Sequence, residues 1–208
     1  DNRGGALDVD EALWSGYQRA AAELAQRVTD DPSMLARLAP PRDGADDEAR
    51  AERFVRDFGL RAHRRPLEED EVSEYLALFR SAAGSYGDLD AFTSGVRLTL
   101  EAMLQSPHFL YRIETSSEEE AGTIPLDDFE VASRLSYALW GSMPDEELFA
   151  AAAAGMLSDP GQVETQARRM LDDPRARDVV VEFHRQLFKV DAYAGIAPDP
   201  EMYPQASE

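Results

Sequence analysis

The stretch LDDFEVASRLSYALWG, at positions 126–141, decides the fold class of this chain. Asp127 is followed three residues later by Glu130, which is the spacing of a capping box at a helix N-terminus. Apolar residues then recur at steps of three and four until Gly141, a residue typical of helix C-termini. The stretch therefore predicts one complete amphipathic helix with both ends marked.

The same pattern recurs along the rest of the chain. Eight segments in all carry the helical repeat, and most begin with an acidic or hydroxyl residue that can accept from first-turn amides. The predicted caps include Asp8, Asp88, Asp127, Asp159 and Asp173. No segment alternates like a half-buried strand, and no period of about 20 to 50 residues repeats. The sequence predicts an all-α protein of about eight helices in one or two packed helical bundles.

A polar and charged run from Thr115 to Thr123 separates two groups of these helices. With no apolar anchor, it is predicted to be a mobile loop and the domain boundary. We expect an N-terminal helical region over residues 1–116, made of the tail of a preceding domain and a small helical domain. A second helical domain, truncated at its C-terminal end, is expected over 117–208. Residues 192–208 lack periodicity and are expected to be extended or disordered.

Composition excludes several classes of function. The 41 acidic and 21 basic residues give a net charge of -20, which repels nucleic acid and anionic membranes. No stretch reaches the roughly 20 apolar residues of a membrane-spanning helix, so no membrane insertion is predicted. The absence of cysteine removes thiolate zinc sites, iron–sulfur clusters and covalent c-type haem. No cofactor is therefore predicted within these residues.

One basic cluster stands out in this acidic chain. It consists of Arg61, His63, Arg64 and Arg65, and it could bind an anion, a sugar acid or an acidic partner. Pairing with the acidic residues Glu68 to Glu71, just beyond a proline, is the simpler interpretation. Amphipathic stripes elsewhere, including Val179, Val180, Phe183 and Leu187 in the last predicted helix, are expected to face a core.

The three histidines are far apart in sequence. His63, His108 and His184 could form a metal site only if the fold brought them together, and surface or hydrogen-bonded histidine is the simpler interpretation. No nucleophile elbow, phosphate-binding loop or dinucleotide-binding motif is present. We therefore predict no catalytic, cofactor-binding or metal-binding residues, and His108 joins the basic cluster only as a candidate for the anion or partner site.

Four motifs together suggest a family. They are RRPL at 64–67, QSPHFLYR at 105–112, LSYALWGSMPD at 135–145 and RMLDDPRA at 169–176. Their series resembles the large multi-domain proteins of planctomycetes and myxobacteria built from planctomycete-specific domains of unknown function, many of which carry a cytochrome c-like domain. The resemblance covers most of residues 1–204.

This resemblance implies an exported protein, periplasmic or at the cell surface, with redox associations. Any haem of the full-length protein would attach outside these residues. Some relatives place cysteines around the loop equivalent to residues 40–51, where this chain has none. The family supplies no catalytic residues to transfer.

Two functions remain open at this point. The leading hypothesis is a non-catalytic helical module that scaffolds or docks a larger extracytoplasmic protein. Its partners would be the remaining domains of the same protein or a second processed chain. The alternative is part of an extracellular enzyme acting on a polymer or its breakdown products, with the basic cluster or His108 lining a cleft that missing domains complete. That alternative predicts a converging polar pocket around these residues.

Overall fold

The computed structural model describes residues 10–40, 46–114, 116, 123–193, 195 and 202. The chain divides into two compact units, residues 1–126 and residues 127–208, called here the N-terminal and C-terminal units. Within the described ranges there are eleven helices and no β-strand, so the all-α prediction is confirmed. None of the described helices is both long and apolar enough to cross a membrane.

The N-terminal unit is built from six of these helices. They are α1 (Glu11–Asp30), α2 (Pro32–Leu38), α3 (Asp47–His63), α4 (Glu69–Ser81), α5 (Ala91–Gln105) and α6 (Pro107–Leu110). Asp31 ends α1 and also begins α2, where its carboxylate accepts from the amides of Ser33 and Met34 at 2.8 and 3.3 Å. Pro32 then occupies the first helical position, where no amide donor is needed. Asp31 and Pro32 therefore form the turn between these two helices.

Two predicted caps differ from the structure. The N-cap of α1 is Asp10, which accepts from the Leu13 amide at 2.7 Å, and Asp8 lies outside the described residues. The N-cap of α5 is Asp90, which accepts from the Thr93 amide at 3.0 Å, so the prediction of Asp88 is wrong. Each helix offers two aspartates two residues apart, and spacing alone does not distinguish them. In α5 the first turn after Asp90 leads directly into buried residues, which begin at Thr93.

The core of the N-terminal unit surrounds α5, which contacts α1, α3 and α4. Phe54 and Val55 of α3 and Val96 of α5 are completely buried, and burial of such a side chain contributes about 1.5–3 kcal/mol. The ring of Phe79 lies so close to Gly95 that a Cβ there would be 2.4 Å from its Cε1 atom. Glycine at this position therefore permits the contact between α4 and α5.

The C-terminal unit contains the remaining described helices. They are α7 (Asp128–Trp140), α8 (Glu146–Ala153), α9 (Pro160–Leu171), α10 (Pro174–Leu187) and α11 (Val190–Tyr193). The capping box of α7 is confirmed: the Glu130 amide donates to Asp127 at 2.7 Å, and the Asp127 amide donates to Glu130 at 3.0 Å. Asp159 and Asp173 cap α9 and α10 as predicted. Helices α8, α9 and α10 all pack against α7.

The predicted loop and tail are only partly open to comparison. Most of Thr115–Thr123 lies outside the described residues, and the structure divides its two units after Leu126. The predicted tail begins within α11, whose last residue is Tyr193, and most of the remainder lies outside the described residues. Short helices α2, α6 and α11 account for the difference from eight predicted helices, because four to seven residues are too few to show a 3.6-residue period.

Candidate functional site

The basic cluster lies where α3 ends. Arg64 is the C-cap of α3 and has left-handed backbone angles, φ 60° and ψ 18°. This conformation is usual for glycine and costs a residue with a Cβ roughly 1 kcal/mol. Arg64 is nevertheless buried, with 5% of its surface exposed. A strained and buried arginine indicates that its side chain has a specific role in the fold.

The guanidinium of Arg64 fastens α6 to the end of α3. It donates to the backbone carbonyls of His108, Phe109 (3.3 Å) and Tyr111 (2.6 Å). These carbonyls belong to a single helical turn and the residue that follows it, where the backbone acceptors lack intrahelical donors. One charged side chain therefore satisfies three acceptors that lie 44 to 47 positions away in sequence.

The predicted pairing between the arginines and the acidic turn is confirmed for Arg65. Its guanidinium binds the carboxylate of Glu71 through two hydrogen bonds of 2.8 and 2.9 Å. Glu71 also accepts from the backbone amide of Glu68 at 2.8 Å. The hydrogen bond from Arg65 is the main cause that lowers the pKa of Glu71 to about 2. Arg56 pairs with Glu69 in the same way, at 2.8 and 3.0 Å.

The structure brings together two of the three histidines. The rings of His63 and His108 stack with their centroids 4.9 Å apart and their planes inclined by 28°. The His63 side chain is 1% exposed, and its Nε2 atom lies 3.4 Å from the hydroxyl of Tyr75. Its Nδ1 atom has no hydrogen-bond partner among the described residues. Burial, followed by the neighbouring His108, lowers the pKa of His63 to about 4.

The other candidate residues have different surroundings. Arg61 is exposed on the last turn of α3. His184 lies in the C-terminal unit on α10, with its Nδ1 atom 2.7 Å from the carbonyl oxygen of Val180. Among the described residues, no group of three histidine, aspartate or glutamate side chains is arranged to hold a metal ion.

Two clefts in the N-terminal unit lie near the start of α3 and α5. One, of about 430 Å³, is lined by Leu35, Asp47, Arg50, Asp90, Ala91, Phe92 and Thr93. The second, of about 240 Å³, shares Asp47, Ala91 and Phe92 with it and also includes the ion pair between Glu48 and Arg80. None of their lining residues belongs to the basic cluster, so these clefts are not the pocket expected around Arg64 and His108.

In the C-terminal unit, sequence reasoning missed a cluster around Trp140. The indole Nε1–H donates to the carbonyl of Met170 at 2.9 Å, and the guanidinium of Arg175 lies over the ring at 3.5 Å. Arg169 contacts the same ring at 5.5 Å and binds Asp145 through two hydrogen bonds of 2.8 and 3.0 Å. The cluster thus joins two of the sequence motifs that carried the resemblance, at 135–145 and 169–176.

The apolar stripe of α10 differs most from expectation. We call its exposed part the α10 face; the residues are Val180, Phe183 and Leu187. Val180 is 49% exposed, Leu187 is 58% exposed and Phe183 is 60% exposed. The prediction that this stripe faces a core is wrong beyond the first turns of the helix. Periodicity shows which face of a helix is apolar, but it does not show whether a partner covers that face.

Family models match most of the chain. Residues 126–208 match the model described as PSD4, protein of unknown function (DUF1592), and residues 50–114 match PSD5, protein of unknown function (DUF1595). Both are planctomycete-type domains of unknown function, which the four sequence motifs had suggested. Neither the search of curated proteins nor the search of solved structures found a match.

Proposed function

We propose that this chain is a non-catalytic helical docking module of a larger extracytoplasmic protein. The observation that carries the proposal is the α10 face. A contiguous group of large apolar side chains exposed on one helix is typical of a protein–protein interaction site. Such a face contributes binding free energy when a partner removes it from water.

The α10 face continues an apolar contact that already exists within the C-terminal unit. At the start of the same helix, Ala176 is buried in the core, and Val179 packs beside Gly141 at the end of α7. The stripe then extends past this contact through Phe183 and Leu187, which keep the helical spacing and are exposed. An element that covered them would extend the packing that α7 begins.

The occupant we propose is an amphipathic helix. The buried part of α10 already packs against another helix, α7. An apolar stripe at steps of three and four is complementary to the apolar stripe of a second helix. The charged residues of α10 that include Asp178, Glu182 and Arg185 lie on the opposite side of the helix by their spacing. The contact would therefore be apolar at its centre. A second copy of this chain is disfavoured because its net charge of -20 would repel an identical molecule.

The wider setting of the module is also part of the proposal. The two planctomycete-type domain matches support a multi-domain protein, which we propose is exported to the periplasm or cell surface. The partner helix would come from a remaining domain of that protein or from a second processed chain. Any haem would attach outside these residues, on a cytochrome c-like domain of the larger protein.

The alternative function, part of an extracellular enzyme, has less support. It requires the basic cluster and His108 to line a substrate cleft. Arg64 is instead engaged by three backbone carbonyls, Arg65 is bound to Glu71, and His63 is buried. These contacts indicate that the basic cluster stabilises the fold. The α10 face therefore remains the stronger basis for a function, and it favours docking over catalysis.

Photo-crosslinking in the full-length protein, expressed in its source cells, tests the proposal. A benzoylphenylalanine at position 183 should crosslink to one helical segment of another domain or chain, identified by mass spectrometry of the crosslinked peptides. The same probe at position 182, on the charged side of α10, is the matched control and should give no such crosslink. Crosslinks from position 183 only to a second copy of this chain, or none at all, would contradict the proposal.

A further inference from the structure

The junction between α3 and α6 contains two stacked imidazole rings in unequal environments. His63 is almost fully enclosed, with no hydrogen-bond partner for Nδ1 among the described residues, while His108 is half-buried. A neutral ring tolerates this enclosure, but an imidazolium would be a buried charge with too few acceptors. The closed junction therefore favours the neutral form of both rings.

The charged groups around the rings do not compensate a proton on His63. From α4, Glu71 lies 3.7 Å away but is already bound by Arg65, and the Tyr75 hydroxyl is uncharged. Arg64 and Arg65 follow α3, and both lower the pKa of His63. His108 faces His63 from α6, and its own pKa is lowered by burial and by Arg65. The carboxylate of Glu71, which is shared with Arg65, is thus the one negative charge among these groups that favours a proton on His63. The guanidinium groups of Arg64 and Arg65 and the imidazole of His108 disfavour it.

We propose that protonation of His63 and His108 at acidic pH releases residues 107–111 from the end of α3. Helix α6 is a single turn with few backbone bonds: the amides of Phe109 and Leu110 donate to the Ser106 carbonyl at 2.9 and 3.0 Å, and the Tyr111 amide donates to the Pro107 carbonyl at 2.8 Å. A proton on His63 places a charge in an enclosed site with too few acceptors, and a second proton on His108 makes the two stacked rings repel each other. Release of the turn, which breaks the hydrogen bonds from Arg64, then becomes more favourable, while the core around α5 stays packed. The inference is independent of the docking role proposed for α10.

The direction of the pH effect follows from the two states of His63. In the closed junction its pKa is about 4, and in the released turn it returns to the ordinary value of about 6.5. Protons therefore favour release as the pH falls below about 6.5, and the bias is complete below about 4. At pH 5 these two values shift the equilibrium toward release by about 30-fold relative to neutral pH. The lowered pKa of His108 adds to the shift.

Hydrogen exchange of the whole chain measures this directly. Protection factors, corrected for the intrinsic pH dependence of exchange, should fall by about 30-fold between pH 7.5 and pH 5 for the amides of residues 109–111. Amides in the middle of α5, such as those of Leu100 and Met103, should keep their protection. Equal protection of residues 109–111 at both pH values would overturn the proposal. A parallel loss in α5 would also overturn it, because the whole unit would then be opening.

Substitutions identify the titrating group. His63→Phe keeps an aromatic ring in the stack and cannot be protonated there, so most of the acid sensitivity at residues 109–111 should disappear. His184→Phe, in the C-terminal unit, is the matched control and should leave the sensitivity unchanged. His108→Phe provides a second test, which remains informative if the His63 variant does not fold. Full acid sensitivity in both His63→Phe and His108→Phe would overturn the assignment.

Discussion

Replacing Arg64 tests the central contact of the candidate site. Arg64→Ala removes a charged donor from three backbone carbonyls, and a hydrogen bond to a charged group contributes roughly 1.5–3 kcal/mol. The residues Phe109 and Tyr111 are exposed, so water can replace part of the lost bonding. We expect the N-terminal unit to lose about 3 kcal/mol of unfolding free energy.

Two matched variants separate the parts of this effect. Arg64→Gly removes the same side chain but relieves the left-handed backbone, so it should cost about 1 kcal/mol less than Arg64→Ala. Arg65→Ala removes a partly exposed ion pair and should cost about 1 kcal/mol or less. Urea unfolding, followed by amide exchange in peptides of α3 to α5, gives the three values. If Arg64→Ala costs no more than Arg65→Ala, the carbonyl contacts do not hold α6 in place.

Three further substitutions test the packing of the two units. Gly95→Ala should destabilise the N-terminal unit by about 1–3 kcal/mol, because the added Cβ would meet the ring of Phe79. Gly16→Ala, with open space around it, should instead stabilise α1 by about 0.5–1 kcal/mol. Thermal unfolding followed by circular dichroism measures the sign of both effects. Trp140→Phe should lower the unfolding free energy of the C-terminal unit by about 1 kcal/mol. It removes the indole donor from the Met170 carbonyl, which then keeps the longer hydrogen bond from the Asp173 amide, at 3.2 Å. An unchanged urea midpoint would refute this role.

The sequence correctly predicted the N-terminal caps of α7, α9 and α10. Asp127 with Glu130, Asp159 and Asp173 are caps in the structure as predicted, because a cap depends only on atoms within one helical turn. The prediction of Asp88 was wrong because Asp90 offers the same chemistry two residues later. Local rules leave such a choice open, and the core decides it.

The candidate site was only half predictable. The pairing of Arg65 with Glu71 joins residues six positions apart, so proximity in sequence was enough to suggest it. The contacts of Arg64 and the stacking of His63 on His108 join residues more than forty positions apart. Sequence offered only the residue types there, because no local pattern records which distant turn will lie against the end of α3.

The sequence by itself determined that this chain is all-α, strongly acidic and without thiol chemistry, because helix formation, charge and composition are properties of residues and their near neighbours. The tertiary structure alone decided which amphipathic stripes are covered. Packing needs a second surface, and Phe183 and Leu187 repeat the spacing of a core helix while remaining open to water. It also decided that His63 would be enclosed as a neutral ring, because burial is set by the elements that meet around a residue and not by the residue itself.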